Sequence, residues 1–417
     1  MISEDKWLSR QIVDRFLRYV KIETTSDRHQ TKIPSTECQW DLLNLLVTEL
    51  EEIGIKDITL DKHGYLIARI PSNIDGVSQP PVIGFMAHVD TAEDVSGKGV
   101  KPIIHEDYDG GVIKLKNKIL IDPDEFQTLK RYTGETIITA DGTTLLGADD
   151  KAGIAEIMSA AAWLKKHPEV QHGEVEIIFT PDEETGKGLE KFPLKSLKSI
   201  CCYTLDGDEE GTIETECFHA YAADVTFRGI VIHPGKARGK LMNAVTMAGT
   251  FLNLLPRNES PEATDDRYGY YCPISVGGNI EESKVELIIR DFDFSQVKRR
   301  LDVLKKLGKA VEGLFPGSTV KVDIRKQYSN MTEFLKKDSR VVAFLEKAIE
   351  MEGMEPGRRI IRGGTDGSRL SEMGIPTPNV FTGGANYHSR REWSALPVMI
   401  KAARTIIRLI RVWAAER

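Results

Sequence analysis

Pro81-Val82-Ile83-Gly84-Phe85-Met86-Ala87-His88-Val89-Asp90 is an apolar run that ends in two polar residues. The run has the length and content of a buried strand, and its polar end falls at the strand's mouth. Working outward, Val175–Thr180 repeats the pattern and empties into Pro181-Asp182-Glu183-Glu184. Cys201–Leu205 repeats it again and ends in Asp206-Gly207. Between the first two runs, residues 151–166 (Lys-Ala-Gly-Ile-Ala-Glu-Ile-Met-Ser-Ala-Ala-Ala-Trp-Leu-Lys-Lys) form a strong helix. Amphipathic helices are expected over 4–20 and 41–53, the second closed by Gly54, with short strands at 58–60 and 65–70. Apolar strands alternating with helices give the α/β class, here a mixed sheet flanked by helices. Segment 91–140, with scattered glycines, is expected to be loops and small strands over the site.

The pattern changes near residue 218. The order becomes strand 220–231, helix 242–255, strands 271–278 and 284–291, helix 295–313 and strand 319–327. That β-α-β-β-α-β sequence is the ferredoxin-like arrangement and is complete in itself. It therefore predicts an inserted domain over 218–327, splitting a catalytic domain into 1–217 and 328–417. The first pattern resumes with helix 338–351, a strand at 358–362, Gly/Asn-rich loops and a helix over 397–414 with Pro397 in its first turn.

Charged groups at the mouths of buried strands are costly unless something pairs them. His88 with Asp90, Asp149 with Asp150, Asp182 through Glu184, Asp206 and His388 all fall at strand ends or loops, and the His88 and Asp182 segments follow runs that look like buried strands. Separate carboxylate clusters cannot neutralise one another, and a shared divalent cation is the simplest compensation. Imidazole and carboxylate donors suit zinc or a similar ion. His88 and Asp90, two apart on a strand, point the same way, so Asp90 can orient a metal-bound imidazole. Taken alone, an ordinary surface His–Asp pair at a strand end is the stronger local reading. Asp149 and Asp150 precede a helix and suit an N-cap; with the other clusters present, Asp149 becomes a candidate bridge between two metals. Lys151 is then a candidate charge partner. Adjacent Glu183 and Glu184 diverge on a turning backbone, so one can bind metal while the other acts as general base. A solvated acidic turn is the alternative. His388 follows Gly383-Gly384-Ala385-Asn386-Tyr387, where glycines permit close approach. His29, His63, His105, His167, His172 and His219 lack such settings and read as surface or incidental. His233 and Arg290 read locally as a loop histidine and a strand-end charge.

The chain has 417 residues, a hydrophobic share of 41% and a net charge of -7. That acidity gives no support to nucleic-acid or anionic-membrane binding. No signal peptide and no membrane span are expected, and the scattered cysteines read as reduced thiols in a cytoplasm.

Met86-Ala87-His88-Val89-Asp90-Thr91, Gly147-Ala148-Asp149-Asp150-Lys151 and Asp182-Glu183-Glu184 resemble, in order and spacing, the M20 family of co-catalytic zinc peptidases. Ile289-Arg290-Asp291-Phe292-Asp293, Ile361-Arg362-Gly363-Gly364-Thr365-Asp366-Gly367 and Asn379 to His388 are similar to its tripeptide aminopeptidases. The resemblance covers almost the whole chain. It implies two zinc ions per subunit, one held by His88 and Asp206, the other by Glu184 and His388, with Asp149 bridging. It makes Glu183 the general base and Asp90 the residue that orients His88, and it implies a cis Asp149–Asp150 peptide bond. The insert becomes a lid and dimerisation domain of a homodimer. His233 then reaches the partner's site, and Arg290, helped by the Arg362–Gly364 loop, binds the peptide's C-terminal carboxylate. The implied activity is removal of the N-terminal residue from tripeptides. The alternatives are another M20 activity, dipeptidase or N-acyl amino-acid deacylase, and a non-catalytic zinc-stabilised dimer. Departures at residues 27–32, 171–172, 216–219 and Cys272, where a histidine is expected after the tyrosine, touch none of the metal set.

Overall fold

The computed structural model describes residues 2–416. Its main sheet has eight strands: β1 (Asp57–Leu60), β2 (Leu66–Ile70), β3 (Ile83–His88), β4 (Val175–Thr180), β5 (Cys201–Gly207), β6 (Thr212–Cys217), and, after an insertion, two more. The late strands are Gly357–Ile361 and Asn379–Phe381. The spatial order is β1-β2-β4-β3-β5, then Asn379–Phe381, β6 and Gly357–Ile361. β4, β3, β5 and Asn379–Phe381 run parallel, while β1, β2 and β6 pair antiparallel at the flanks. Every residue of β3 and β4 is buried, which explains why both read as unbroken apolar runs.

Helices cover the sheet because their apolar positions recur on one face. In α1 (Ile2–Tyr19), Leu8, Ile12 and Phe16 are buried; in α2 (Gln39–Ile53), Leu42, Leu43, Leu46 and Leu50 are. Gly54 ends α2 at φ 90°, its N–H donating to the carbonyls of Glu51 and Leu50. α3 (Ala148–Lys166) is buried almost all round, and Gly153 brings it so close to β5 that a Cβ there would lie 2.0 Å from the Leu205 carbonyl oxygen. The C-terminal helix Leu396–Ala414 packs a long apolar face inward. Its Trp413 donates to the Tyr203 hydroxyl at 2.9 Å, and that hydroxyl donates to the Val341 carbonyl at 2.9 Å.

Segment 91–140 holds small strands among its loops, as its sequence suggests. Ile103–His105 and Ile137–Thr139 join a second sheet with Gly384–Ala385 and Trp393–Ala395. The partners lie far down the chain, so local pattern could not reveal the pairing. The short strand Thr212–Cys217, the helix Asp366–Glu372 and the strand Asn379–Phe381 were likewise hidden in polar or Gly-rich sequence.

The described chain divides into two compact units. One runs to Thr215 and resumes over Met331–Ile360 and from Thr365; the other spans Glu216–Asn330 with Ile361–Gly364. The second unit holds strands His219–Arg228, Tyr270–Gly278, Glu282–Asp291 and Thr319–Tyr328, with helices Ala244–Leu254 and Phe294–Leu314. The sheet is antiparallel, with its third strand between the first and second and its fourth beyond the first. This is the ferredoxin-like order. Val225, Phe227, Met247, Phe251, Leu287, Ile289, Leu304 and Val311 form its core. The first strand stops at Arg228, short of the expected 231. Gly229 is pressed against the chain, where a Cβ would sit 2.0 Å from the Met242 carbonyl oxygen. Among the described residues no helix is long and apolar enough to cross a membrane.

Candidate metal centre

Parallel pairing sets His88 opposite Thr180 and Met86 opposite Thr204. The carboxyl ends of β3, β4 and β5 therefore line up, and His88, the Asp182–Glu184 turn and Asp206 emerge side by side. Sites in open α/β sheets collect at this edge. α3 begins at the same edge, and its first residues, Asp149 and Asp150, are joined by a cis peptide bond.

Asp149 is the centre of the constellation. Its Oδ1 lies 2.9 Å from His88 Nε2, and its Oδ2 lies 3.3 Å from His388 Nε2. His88 Nε2 also faces Asp206 Oδ1 at 3.7 Å, while His388 Nε2 faces Glu184 Oε2 at 3.0 Å. One carboxylate thus spans two imidazoles, each with a further carboxylate of its own. Donor atoms of His88, Asp149 and Glu184 lie within 4.8 Å of one another, as do those of His88, Asp150 and Asp206. Asp150 is committed elsewhere: its Oδ2 accepts the backbone N–H of His88 at 3.1 Å.

The backbone and neighbouring side chains hold these groups in place. His88 Nδ1 donates to the Asp90 carbonyl oxygen at 3.1 Å and lies 3.4 Å from Asp90 Oδ1. Both Asp90 oxygens are used again, accepting the N–H groups of Glu183 at 3.0 Å and Glu184 at 3.2 Å. Asp182, at φ 59°, fastens the same turn to the start of α2. It accepts from the Ser35 N–H at 2.7 Å, the Ser35 hydroxyl at 2.5 Å and Gln39 Nε2 at 2.8 Å. Asp366 accepts from the Thr180 hydroxyl at 2.6 Å, just before the turn. Glu392 accepts three backbone N–H groups of the segment leading into Asp149. Asp182, Asp366 and Glu392 were not singled out by sequence. Asp182 stood inside an acidic cluster whose other members drew attention. Glu392, four residues past His388, reads as one more charge beside Arg390 and Arg391.

The electrostatics fit a cation. Burial, and then the charge of Asp149, pushes Glu184 up to about 7; burial raises Glu183 well above its ordinary range and raises Asp206. Bonds to Asp149 and Glu184 lift His388 to about 11. His88 is raised despite its burial because Asp149, Asp206 and Asp90 surround it. Carboxylates crowd both imidazoles, and a divalent ion would satisfy the same field. Glu184 Oε1 is buried with no hydrogen-bond partner, as a ligand oxygen awaiting an ion is. The buried ammonium of Lys151 donates to the Ile22 carbonyl at 2.8 Å; burial lowers it to about 8, against the opposing charges of Glu392, Asp90 and Glu23.

Within the second unit, His233 is exposed, with Nδ1 accepting the Gly235 N–H at 3.1 Å. Arg290 is buried; its Nη1 donates to the Tyr221 and Ile289 carbonyls, and its guanidinium lies 5.5 Å from the Tyr328 ring centroid. Gly364 packs against that same ring, where a Cβ would lie 2.4 Å from Tyr328 Cζ. Arg362 spends Nη1 and Nη2 on the carbonyls of Asp266, Tyr268 and Thr264, over the rings of Phe218 and Tyr270. Two histidines read as surface or incidental, His172 and His219, are buried.

The sequence model of peptidase family M20/M25/M40 matches residues 139–412. The chain belongs to this family. Among curated relatives, it is 45% identical to peptidase T of Geobacillus thermodenitrificans over 408 residues, 97% of this chain and 99% of that protein. It is 44% identical to peptidase T of Bacillus subtilis over 411 residues, covering 98% of this chain and all of the relative (100%). The fold matches the crystal structure of aminopeptidase PepT from Bacillus cereus with a TM-score of 0.75 and 23% identity, over 97% of this chain and 99% of that one.

Proposed function

We propose that this chain is a tripeptide aminopeptidase with two zinc ions per subunit, acting in the cytoplasm as a homodimer. The observation that carries the reading is Asp149, whose two oxygens face two different imidazoles, each paired with its own carboxylate. His88 and Asp206 would hold one ion and His388 and Glu184 the other, with Asp149 available to both. When bound, such a pair acidifies a water and polarises the scissile carbonyl.

The chain's own groups do the rest. Glu183 takes the proton of the attacking water and returns it to the leaving amine. Among the described residues its carboxylate makes no hydrogen bond, while Asp90 holds its backbone N–H, so the base is placed through the main chain. Asp90 also fixes the His88 tautomer, because Nδ1 must carry the proton it donates. In the inserted unit, read as a lid and dimerisation domain, Arg290 receives the substrate's C-terminal carboxylate. Its ring partner Tyr328 and the Arg362–Gly364 loop support it. Arg362 itself, with two nitrogens on carbonyls, steadies that loop. His233 serves the second subunit's carbonyl through Nε2, since Nδ1 is taken by Gly235. A cytoplasmic setting agrees with the adjacent free thiols Cys201 and Cys202.

The test is kcat/KM on matched di-, tri-, tetra- and N-acetylated peptides with zinc-loaded protein. A tripeptide maximum that disappears on N-acetylation is expected. A maximum on dipeptides, or on N-acetylated substrates, would identify one of the other M20 activities instead.

A further inference from the structure

The segment that delivers Asp149 is held by one side chain. Glu392 Oε2 accepts the N–H groups of Leu146 at 2.7 Å and Gly147 at 2.9 Å, and its Oε1 accepts that of Asp149 at 3.2 Å. The carboxylate is 1% exposed. Glu392 stands four residues after His388 and directly before the strand Trp393–Ala395, which pairs with Ile137–Thr139. The His388 loop is thereby fixed at its far end, and the same end grips the Asp149 segment. A carboxylate suits this place because every partner is an N–H donor, so both oxygens must accept.

We propose that Glu392 is a positioning residue that sets Asp149 against His388, so that the two metals are held as a pair. The inference rests on Asp149 being the shared ligand. Gln is the same shape but has one acceptor and one NH2. Either orientation sets N–H against N–H, at Asp149 or at Leu146 and Gly147, and the segment must move. Groups that orient metal ligands typically govern about 10- to 100-fold in affinity or activity.

The experiment titrates metal-free wild type, E392Q, E392D and I410V with zinc, and measures kcat, KM and the melting temperature of each. Ile410 is a buried residue of the C-terminal helix with no part in the site. Wild type should bind two equivalents. E392Q should bind at least one of them about tenfold more weakly, with kcat reduced and KM little changed. I410V, destabilised by the lost methylene, should keep wild-type affinity. Two equivalents bound by E392Q at wild-type affinity would overturn the proposal, as would an affinity loss in I410V that tracks its melting temperature. Should E392Q not fold, E392D carries the test: its acceptors sit one methylene back, and wild-type affinity there overturns the idea. Wild type binding fewer than two ions defeats the reading of the site itself, and this proposal with it.

Discussion

Replacing Glu183 by Gln separates the base from the ligands. The side chain makes no hydrogen bond among the described residues, and its backbone N–H stays on Asp90, so the turn that carries Glu184 should not move. Metal content is expected to be unchanged. Loss of a positioned general base costs about 10²- to 10⁴-fold in kcat, or about 3–5 kcal/mol of barrier. KM should stay near wild type. Stability should move the other way. Burial raises the folded pKa of Glu183 well above the ordinary value, with Asp206, Asp366 and Glu184 adding to it and His88 opposing. A carboxyl raised in this way contributes stability below its unfolded pKa and loses it as pH rises through the folded value. Metal-free E183Q, which cannot ionise, should therefore gain on metal-free wild type as pH climbs from 4.5 upward. The assays are steady-state hydrolysis of a tripeptide, metal analysis and urea unfolding across pH. Turnover within tenfold of wild type would refute the base assignment. Loss of one metal equivalent would show Glu183 to be a ligand.

Gly153→Ala drives a Cβ to 2.0 Å from the Leu205 carbonyl and 2.5 Å from Asp150 Oδ1, so α3 and β5 must part just where Asp206 begins. A loss of about 3 kcal/mol in urea unfolding is expected, with weaker metal binding; an unchanged midpoint would show that the close approach is not needed. Arg290→Ala should raise KM for free-carboxylate tripeptides about tenfold or more and leave C-terminally amidated peptides unaffected; equal loss on both would end its proposed role. Native protein at pH about 8, near an ordinary thiol's pKa, should react with a disulfide reagent only at Cys38 and Cys272. Burial pushes Cys201 up to about 12 and Cys202 well above the ordinary range, and Cys217 is buried too. Labelling of Cys201 or Cys202 in the folded state would contradict the packing.

Much of the molecule was legible because it obeys local rules. β3, β4 and β5 are buried on both faces and announce themselves as apolar runs; α3 and the C-terminal helix have the composition of core helices. The inserted unit was legible as an order of elements. The segments around His88, Asp149, Glu184, Asp206 and His388 stood out because polar groups at strand ends are costly and must be compensated; the choice of these five within them came from the family resemblance. Strands of two or three residues, such as Gly384–Ala385 and Trp393–Ala395, carry too little pattern to be seen. The C-terminal end of the inserted unit's first strand depended on how closely Gly229 meets Met242.

Residue type and short-range period were enough for the class of fold, the order of elements in the insertion and a set of side chains able to hold a metal. Tertiary structure alone decided the rest. Parallel register placed three strand ends together, and the two oxygens of Asp149 were shared between His88 and His388. It also turned Asp90, Asp182 and Glu392 from ordinary acids into acceptors for backbone N–H groups distant in the chain. The physical reason is that a carboxylate's partner is set by what folding brings within about 3 Å, and sequence spacing does not encode that distance.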